Sequence, residues 1–335
     1  MIWPHLKKIF GLIKMKNLIK ETAIDVINLE IKALNKLKYY INDSFIEAVK
    51  LIKKCKSKVI VCGVGKSGII ASKISATLSS VGTPSFSIYA NDCSHGDLGK
   101  ITYQDILILI SNSGNTEELN NIIKFAKINK IKLISIVSNK DSILYKSSNI
   151  NLLLPDVKEA GYDIVPTSST TLQLSLGDAL AIALMKEKKF GQLDFKKFHP
   201  AGNLGKKLKT ASEIMLTKNK IPFVNENMDL NKALKILNFK KLGFLVIKNE
   251  KGFTKGVFTD GDLKRLMQKK KSLENLKIGE FISKNPYKVE KNSLASDILK
   301  QMNKNKITNV CVFDKKNKNI TIGVIHIHQL LNILR

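Results

Sequence analysis

Lys58-Val59-Ile60-Val61-Cys62-Gly63-Val64-Gly65-Lys66-Ser67-Gly68 decides the fold: a short apolar run closed by glycine, with a helical pattern continuing to about Ser80. A brief apolar run bounded by glycine and followed by helical spacing is a buried strand, a tight loop and a helix. The same unit recurs outward. Pro84–Ala90 predicts a second strand and Asp105–Ile110 a third, followed by Ser111–Thr116 and a helix over Glu117–Asn129. Lys132–Asn139 predicts a fourth strand, Ile150–Pro155 a fifth, and residues 170–188 a long helix. Upstream, residues 17–54 read as helices, with apolar residues at Ile24, Ile27, Ile31 and Leu34, then Phe45, Val49 and Ile52. Strands alternating with helices predict an α/β fold, a doubly wound parallel sheet with helices on both faces. In such sheets the ligand lies beyond the carboxyl ends of the strands. Both loops, Gly63–Gly68 and Ser111–Thr116, fall there.

Residues 190–210 read as a structured loop and linker. Beyond them the chain repeats itself. Pro222 and Pro286 each precede an apolar strand and a helix, and two more strands follow each helix. The closing segments Gly256-Val257-Phe258-Thr259-Asp260 and Gly323-Val324-Ile325-His326-Ile327 are offset by 67 residues. Two copies are too few for a solenoid, so a pair burying its faces against each other is expected.

Composition narrows the function. The formal charge is +28, but Arg265 and Arg335 are the only arginines, so nearly all of it is lysine spread along the chain. Base readout and bidentate phosphate grip favour clustered arginine. No helix-turn-helix or aromatic–basic pattern appears either. Nucleic acid is not the expected partner; the field instead recruits anionic substrates. No apolar stretch is long enough to span a membrane. Cys55, Cys62, Cys93 and Cys311 lack metal-ligand spacing and fit a reducing, cytoplasmic setting, with Cys62 a small hydrophobe in its strand. Residues 1–14 are either a translated leader before Met15 or a short surface helix.

Three segments carry chemistry. Gly63, Gly65 and Gly68 form a literal GxGxxG, which with Asp92 would suit a dinucleotide, yet alone it is weak evidence. Its glycines let backbone approach a ligand, and Lys66 adds charge at a helix start. Ser111, Ser113 and Thr116 crowd hydroxyls and free N–H groups at a helix N-terminus, a phosphate cradle that a nicotinamide enzyme does not need. The bland alternative is ordinary capping, with Asn115 as cap and Glu118 as its capping-box partner. Thr167, Ser168 and Ser169 open another helix and supply either more phosphate ligands or caps. The titratable candidates are His95, Glu118, Glu159 and His199, each in a loop or glycine context.

Taken in order, GVGKSG, SHGDLG, SNSGNTEE, PTSST, GDALAIALM and HPAGNLGKKL, followed by tandem repeats, resemble the arabinose 5-phosphate isomerase family. The resemblance covers roughly residues 17–335, with SHGDLG and HPAGNLG its most specific segments. It implies a sugar isomerase (SIS) domain followed by a pair of CBS domains. The expected division is a helical segment 1–44, a SIS domain 45–190, a loop and linker 191–210, and CBS domains at 211–272 and 276–335. It further implies interconversion of ribulose 5-phosphate and arabinose 5-phosphate, supplying the octulosonate sugar Kdo for lipopolysaccharide or capsule, in a cytoplasmic homotetramer. Carried over by motif, Lys66, Glu118, Glu159 and His199 are the catalytic set. Gly65, Ser67 and His95 line the pocket, and Ser111, Ser113, Thr116, Thr167, Ser168 and Ser169 hold the phosphate.

The sequence departs from the family pattern in three places. Asn115 stands where a Glu often follows SNSG, and Glu117 is a close rival of Glu118. After Ala160, GYDIV replaces the usual CPLGLA, which bears on the sugar pocket. The second repeat lacks the Thr-Asp of Thr259 and Asp260, so a nucleotide or nucleotide-sugar is expected to favour the site using Asp260. An aldose–ketose isomerase needs a carboxylate base, a cation at the oxyanion and an acid–base histidine. No metal or organic cofactor is required, although His95 offers a place for an inhibitory divalent metal. Competing classes are a phosphosugar-sensing regulator, a SIS isomerase acting on sedoheptulose 7-phosphate, and a nicotinamide dehydrogenase. Residues 1–45 show no DNA-binding motif for the first, and enzymes of the second kind usually lack the repeats.

Overall fold

The computed structural model describes residues 2–198, 208–269 and 273–334, with side chains of the first helix from Asn17 onward. The chain divides into two compact units, Met1–Phe198 and His199–Arg335.

The first unit begins with α1 (Ile2–Leu37), a single turn at Lys38–Tyr40, and α2 (Asp43–Lys54). Asn42 caps α2, its side chain accepting from the Ser44 N–H at 3.1 Å. Then follow β1 (Val59–Gly63), α3 (Gly65–Ser80), β2 (Ser85–Tyr89), the one-turn α4 (Ala90–Cys93) and β3 (Ile106–Ile110). α5 (Asn120–Ile128), β4 (Lys132–Val137), α6 (Ile143–Ser147), β5 (Ile150–Leu153), α7 (Ser168–Glu187) and α8 (Gln192–Phe198) complete it. All five expected strands form and pair in parallel, in the order β2-β1-β3-β4-β5.

Alternating strand residues face opposite layers, which is why the strand sequences are apolar throughout. Val59, Val61, Ile106, Ile108 and Ile110 pack with α1, α2, α3 and α7. Ile60, Cys62, Leu107 and Leu109 pack with α4, α5 and α6. α3 lies along α7. A Cβ on Gly177 would collide with Ile74, so the glycine permits close approach, and Lys73 pairs with Asp178 beside it. Further along, Lys188 donates to Thr83 at 2.8 Å, so the two helices run parallel.

The second unit carries the two repeats. Its first is β6 (Phe223–Asn225), α9 (Leu230–Lys240), β7 (Phe244–Lys248), β8 (Thr254–Thr259) and α10 (Asp260–Lys269). The second is β9 (Lys288–Glu290), α11 (Ala295–Asn305), β10 (Asn309–Asp314), β11 (Asn317–His326) and α12 (Ile327–Leu334). Each makes a three-stranded sheet, β6-β7-β8 and β11-β10-β9. Equivalent positions meet: Thr254 donates to Thr321 at 2.9 Å, and the Asn309 side chain donates to the Leu242 carbonyl at 3.1 Å, each pair 67 residues apart. Phe244, Val257, Cys311 and Val324 share one apolar cluster between the sheets. Each repeat thus buries a face against its twin, as the short repeat length requires.

Candidate active site

Gly63 is the register partner of both Ile110 on β3 and Tyr89 on β2. The glycine loop, the hydroxyl loop and the His95 segment therefore leave the sheet at one level. β1 leads to β2 on one side, and the chain then returns to β3 on the other. The gap between β1 and β3 is accordingly the topological switch point, where ligands of open α/β sheets bind.

The glycine loop is built by steric need. A Cβ on Gly63 would lie 2.7 Å from the Ser67 carbonyl carbon, and one on Gly68 3.0 Å from the Gly63 oxygen. Gly65 opens α3 at φ 56°, a left-handed conformation that glycine adopts freely. Lys66 is left exposed at the helix start and Ser67 half-buried.

The hydroxyl loop is internally tied. Ser111, 4% exposed, shares a 2.8 Å hydrogen bond with Thr116, and its hydroxyl accepts from the Gly114 N–H at 3.0 Å. Ser113 accepts from the Asn115 N–H at 3.4 Å. The capping alternative is not what forms. The Asn115 side chain reaches away to accept from the Ile143 N–H at 3.0 Å, and Glu117–Leu119 is a separate 3-10 turn ahead of α5. The helix expected from Glu117 starts at Asn120 because its entry is tightened into that turn. Glu117 and Glu118 are both exposed on it. Asn121, just inside α5, donates to Ser94 at 3.3 Å, which brings the His95 segment beside them.

Glu159 sits at the N-terminus of α7. Its carboxylate accepts from the Thr167 N–H at 2.8 Å, the Thr167 hydroxyl at 3.1 Å and the Ser169 N–H at 3.2 Å. Burial pushes its carboxyl up, but the hydrogen bonds from Ser169 and Thr167 outweigh burial and hold it below the usual 4.5. Thr167 and Ser169, expected to hold phosphate, thus donate to this carboxylate. The Ser168 hydroxyl is fully buried and has no hydrogen-bond partner among the described residues. The segment behind Glu159 is a left-handed turn: Gly161, Tyr162 and Asp163 have φ of 61°, 64° and 63°, and Asp163 accepts from the Glu159 N–H at 2.6 Å. Since α3 and α7 are parallel and touch at Ile74 and Gly177, each the same number of residues beyond Lys66 and Ser169, Lys66 and the anchored Glu159 start level.

Gln173, one turn beyond Ser169, was not anticipated. It is 1% exposed, and neither its amide nitrogen nor its oxygen has a partner among the described residues. A glutamine set between Leu172 and Leu174 on a buried helix was the signal for it. His199 lies outside the described residues. Among the described residues, no group of three or more His, Cys, Asp or Glu side chains is placed to hold a metal ion. Nor is any helix long and apolar enough to cross a membrane.

The C-terminal unit holds a cavity of about 840 Å³, lined by Gly243, Thr259 and Asp260 from the first repeat and Thr308, His326 and His328 from the second. Thr259 donates to Asp262 at 2.7 Å and Arg265 pairs with the same carboxylate at 2.6 Å. Burial pushes Asp262 up, but these bonds hold it below its usual value.

A switch-point site flanked by glycine and hydroxyl loops, on a 2-1-3-4-5 sheet joined to paired repeats, has the architecture that the resemblance to a SIS domain followed by a CBS pair implies. The SIS domain model matches residues 51–183, and the CBS domain model matches 211–269 and 278–335. The chain is 42% identical over 314 residues to the arabinose 5-phosphate isomerase KdsD of Yersinia pestis, covering 93% of this chain and 95% of that protein. It is 40% identical over 316 residues to KdsD of Francisella tularensis, at 93% and 96% coverage. An Escherichia coli CFT073 protein, c3406, solved in complex with arabinose 5-phosphate, matches with a TM-score of 0.52 at 38% identity, covering 56% of this chain and 98% of that one. The chain belongs to the arabinose 5-phosphate isomerase family.

Proposed function

We propose that the chain interconverts D-ribulose 5-phosphate and D-arabinose 5-phosphate at the β1/β3 switch point, as the first step toward Kdo. Glu159 carries this reading: an ionised carboxylate is fixed in orientation by the N-terminus of α7, the helix that packs along α3, whose first turn carries Lys66. Membership in the family and the arabinose 5-phosphate bound to the related c3406 protein support it.

The reaction opens the sugar ring, removes a proton beside the carbonyl, and returns it to the neighbouring carbon through an enediolate. Ser111, Ser113 and Thr116, with the free N–H groups after β3, receive the phosphate. Lys66 stabilises the enediolate oxyanion, and Glu118 or Glu159 carries the proton. Gly65, Ser67 and His95 line the sugar, and His199 opens the ring. The chain works in the cytoplasm as a homotetramer, and its product feeds lipopolysaccharide or capsule. Its CBS pair takes a nucleotide or nucleotide-sugar against Thr259 and Asp260, with no metal or organic cofactor in the chemistry.

Purified protein is incubated with a panel of ketose and aldose phosphates, sedoheptulose 7-phosphate included, and products are followed by NMR. Formation of arabinose 5-phosphate from ribulose 5-phosphate alone is the expected outcome. Turnover of the seven-carbon sugar instead would move the chain to another isomerase. No turnover of any sugar would leave a sensor.

A further inference from the structure

The segment behind Glu159 holds its backbone in a conformation that side chains rarely adopt. Gly161, Tyr162 and Asp163 have φ of 61°, 64° and 63° in succession. Glycine enters this left-handed region freely and aspartate tolerates it, but a bulky residue such as tyrosine does so rarely. Tyr162 is 98% exposed, so no burial of its ring offsets the strain. Strained backbone persists only where its surroundings impose it, and it gathers at functional sites. Here the turn folds the chain back on Glu159. Asp163 Oδ1 accepts the Glu159 main-chain N–H at 2.6 Å, and the Val165 N–H reaches the Ala160 carbonyl at 3.3 Å. We propose that Asp163 is a positioning residue for Glu159: it holds the Glu159 main chain through the left-handed turn and so sets the direction from which the carboxylate meets the sugar.

Glu159 is thereby held at both ends. Its Oε2 accepts from the Thr167 N–H at 2.8 Å and the Thr167 hydroxyl at 3.1 Å, and its Oε1 from the Ser169 N–H at 3.2 Å. These bonds fix where the carboxylate lies, but a long side chain reaches one point through several rotamers. Fixing the main chain as well leaves few rotamers that span the two ends. The same Thr167 hydroxyl accepts from the Ala160 N–H at 2.9 Å, tying the residue after Glu159 to the helix that holds its carboxylate. A carboxylate offers about four lone-pair sites, and Oε1 spends one on Ser169. Its other site is open for the proton that the reaction moves, in an orientation that Asp163 sets from behind. A group fixed before the substrate arrives loses no freedom in the transition state, so such preorganisation acts on the chemical step. The inference rests on the isomerase reading and takes Glu159 as its proton carrier.

The full chain and its variants are assayed by NMR-followed isomerisation of ribulose 5-phosphate, with thermal melts alongside. Asp163→Ala removes the acceptor and should lower kcat about tenfold or more with KM nearly unchanged, since misplacements of ~1 Å can cost ~10²-fold. Asp163→Asn keeps an acceptor oxygen in place and should restore kcat close to the wild-type value. Asp163→Glu keeps the charge but moves the acceptor by one methylene, and should lower kcat as well. The turn is exposed, so melting temperature should shift by less than about 4 °C in each variant. In protein already carrying Glu159→Gln, Asp163→Ala should cost nothing further, because effects of residues that act as a unit do not add. Wild-type kcat in Asp163→Ala or in Asp163→Glu, beside a Glu159→Gln protein that has lost turnover, would overturn the inference and leave the isomerase reading standing. So would an Asp163→Asn protein as impaired as Asp163→Ala, or losses that add fully in the double variant. Full turnover in Glu159→Gln would remove Glu159 as the proton carrier, and the inference with it.

Discussion

The Glu159 carboxylate accepts the Ser169 backbone N–H at 3.2 Å, so the positive end of α7 is committed to an acid from its own chain. Helix N-termini ordinarily attract a ligand's phosphate. Here the terminus keeps a carboxylate ionised and aimed, and the phosphate site proposed above is the loop after β3. Glu159→Gln keeps the size but places an amide where two N–H donors converge. Turnover is expected to fall ~10²-fold or more, with a stability loss of about 1 kcal/mol. NMR-followed isomerisation and thermal melts together check both numbers.

Acid should unfold this protein through groups it holds ionised. Burial pushes Asp105 up, but hydrogen bonds from Ser57, Thr102 and Lys58 hold it below its usual 3.8, and Glu159 lies below its usual 4.5. A carboxyl whose folded-state value is depressed contributes stability that is complete above its unfolded value and is lost as pH falls through the folded one. Melting temperature should therefore be flat near neutrality and drop from about pH 4.5 downward. Asp105→Asn should lower the plateau and flatten the fall; an equally steep fall in that variant would place the effect elsewhere.

Gly114 has φ 68°, and an added Cβ would come within 2.6 Å of Val137 Cγ2 as well as colliding with Ser142. Gly114→Ala is expected to cost about 1–3 kcal/mol through left-handed strain and this collision. Because the Gly114 N–H is bonded to Ser111, the phosphate loop should distort as well, and KM should rise more than kcat falls.

Ser111→Ala removes a hydroxyl that holds both Thr116 and Gly114 in place. The buried site leaves those partners partly unmatched, which costs about 1–3 kcal/mol. A rise in KM that inorganic phosphate competition mirrors would fit a phosphate role. An unchanged KM with a lowered melting temperature would make Ser111 purely a loop brace.

The sheet was legible because buried parallel strands are nearly continuous apolar runs, and Val59–Gly63 and Ile106–Ile110 are as plain as such runs become. The site was legible only where side chains supply the chemistry. The hydroxyls of Ser111 and Thr116, which bond to each other, could be picked out by residue type; the partners of Glu159 could not, because two of them are main-chain N–H groups that no residue type advertises. The turn at Tyr162 and Asp163 escaped for a related reason, since residues with a Cβ rarely take positive φ and nothing in GYDIV demands it. Cys62 read as a small hydrophobe.

The two repeats meet through equivalent residues, Thr254 with Thr321 and Leu242 with Asn309, yet the equivalent of Thr259-Asp260 is His326-Ile327. A scaffold folded as two similar halves offers two equivalent positions, and only the first carries an acid there, Asp260. The consequence is one of counting. A ligand that needs Asp260 has a single orientation in the cleft, and a calorimetric titration should end at one molecule per chain, not two.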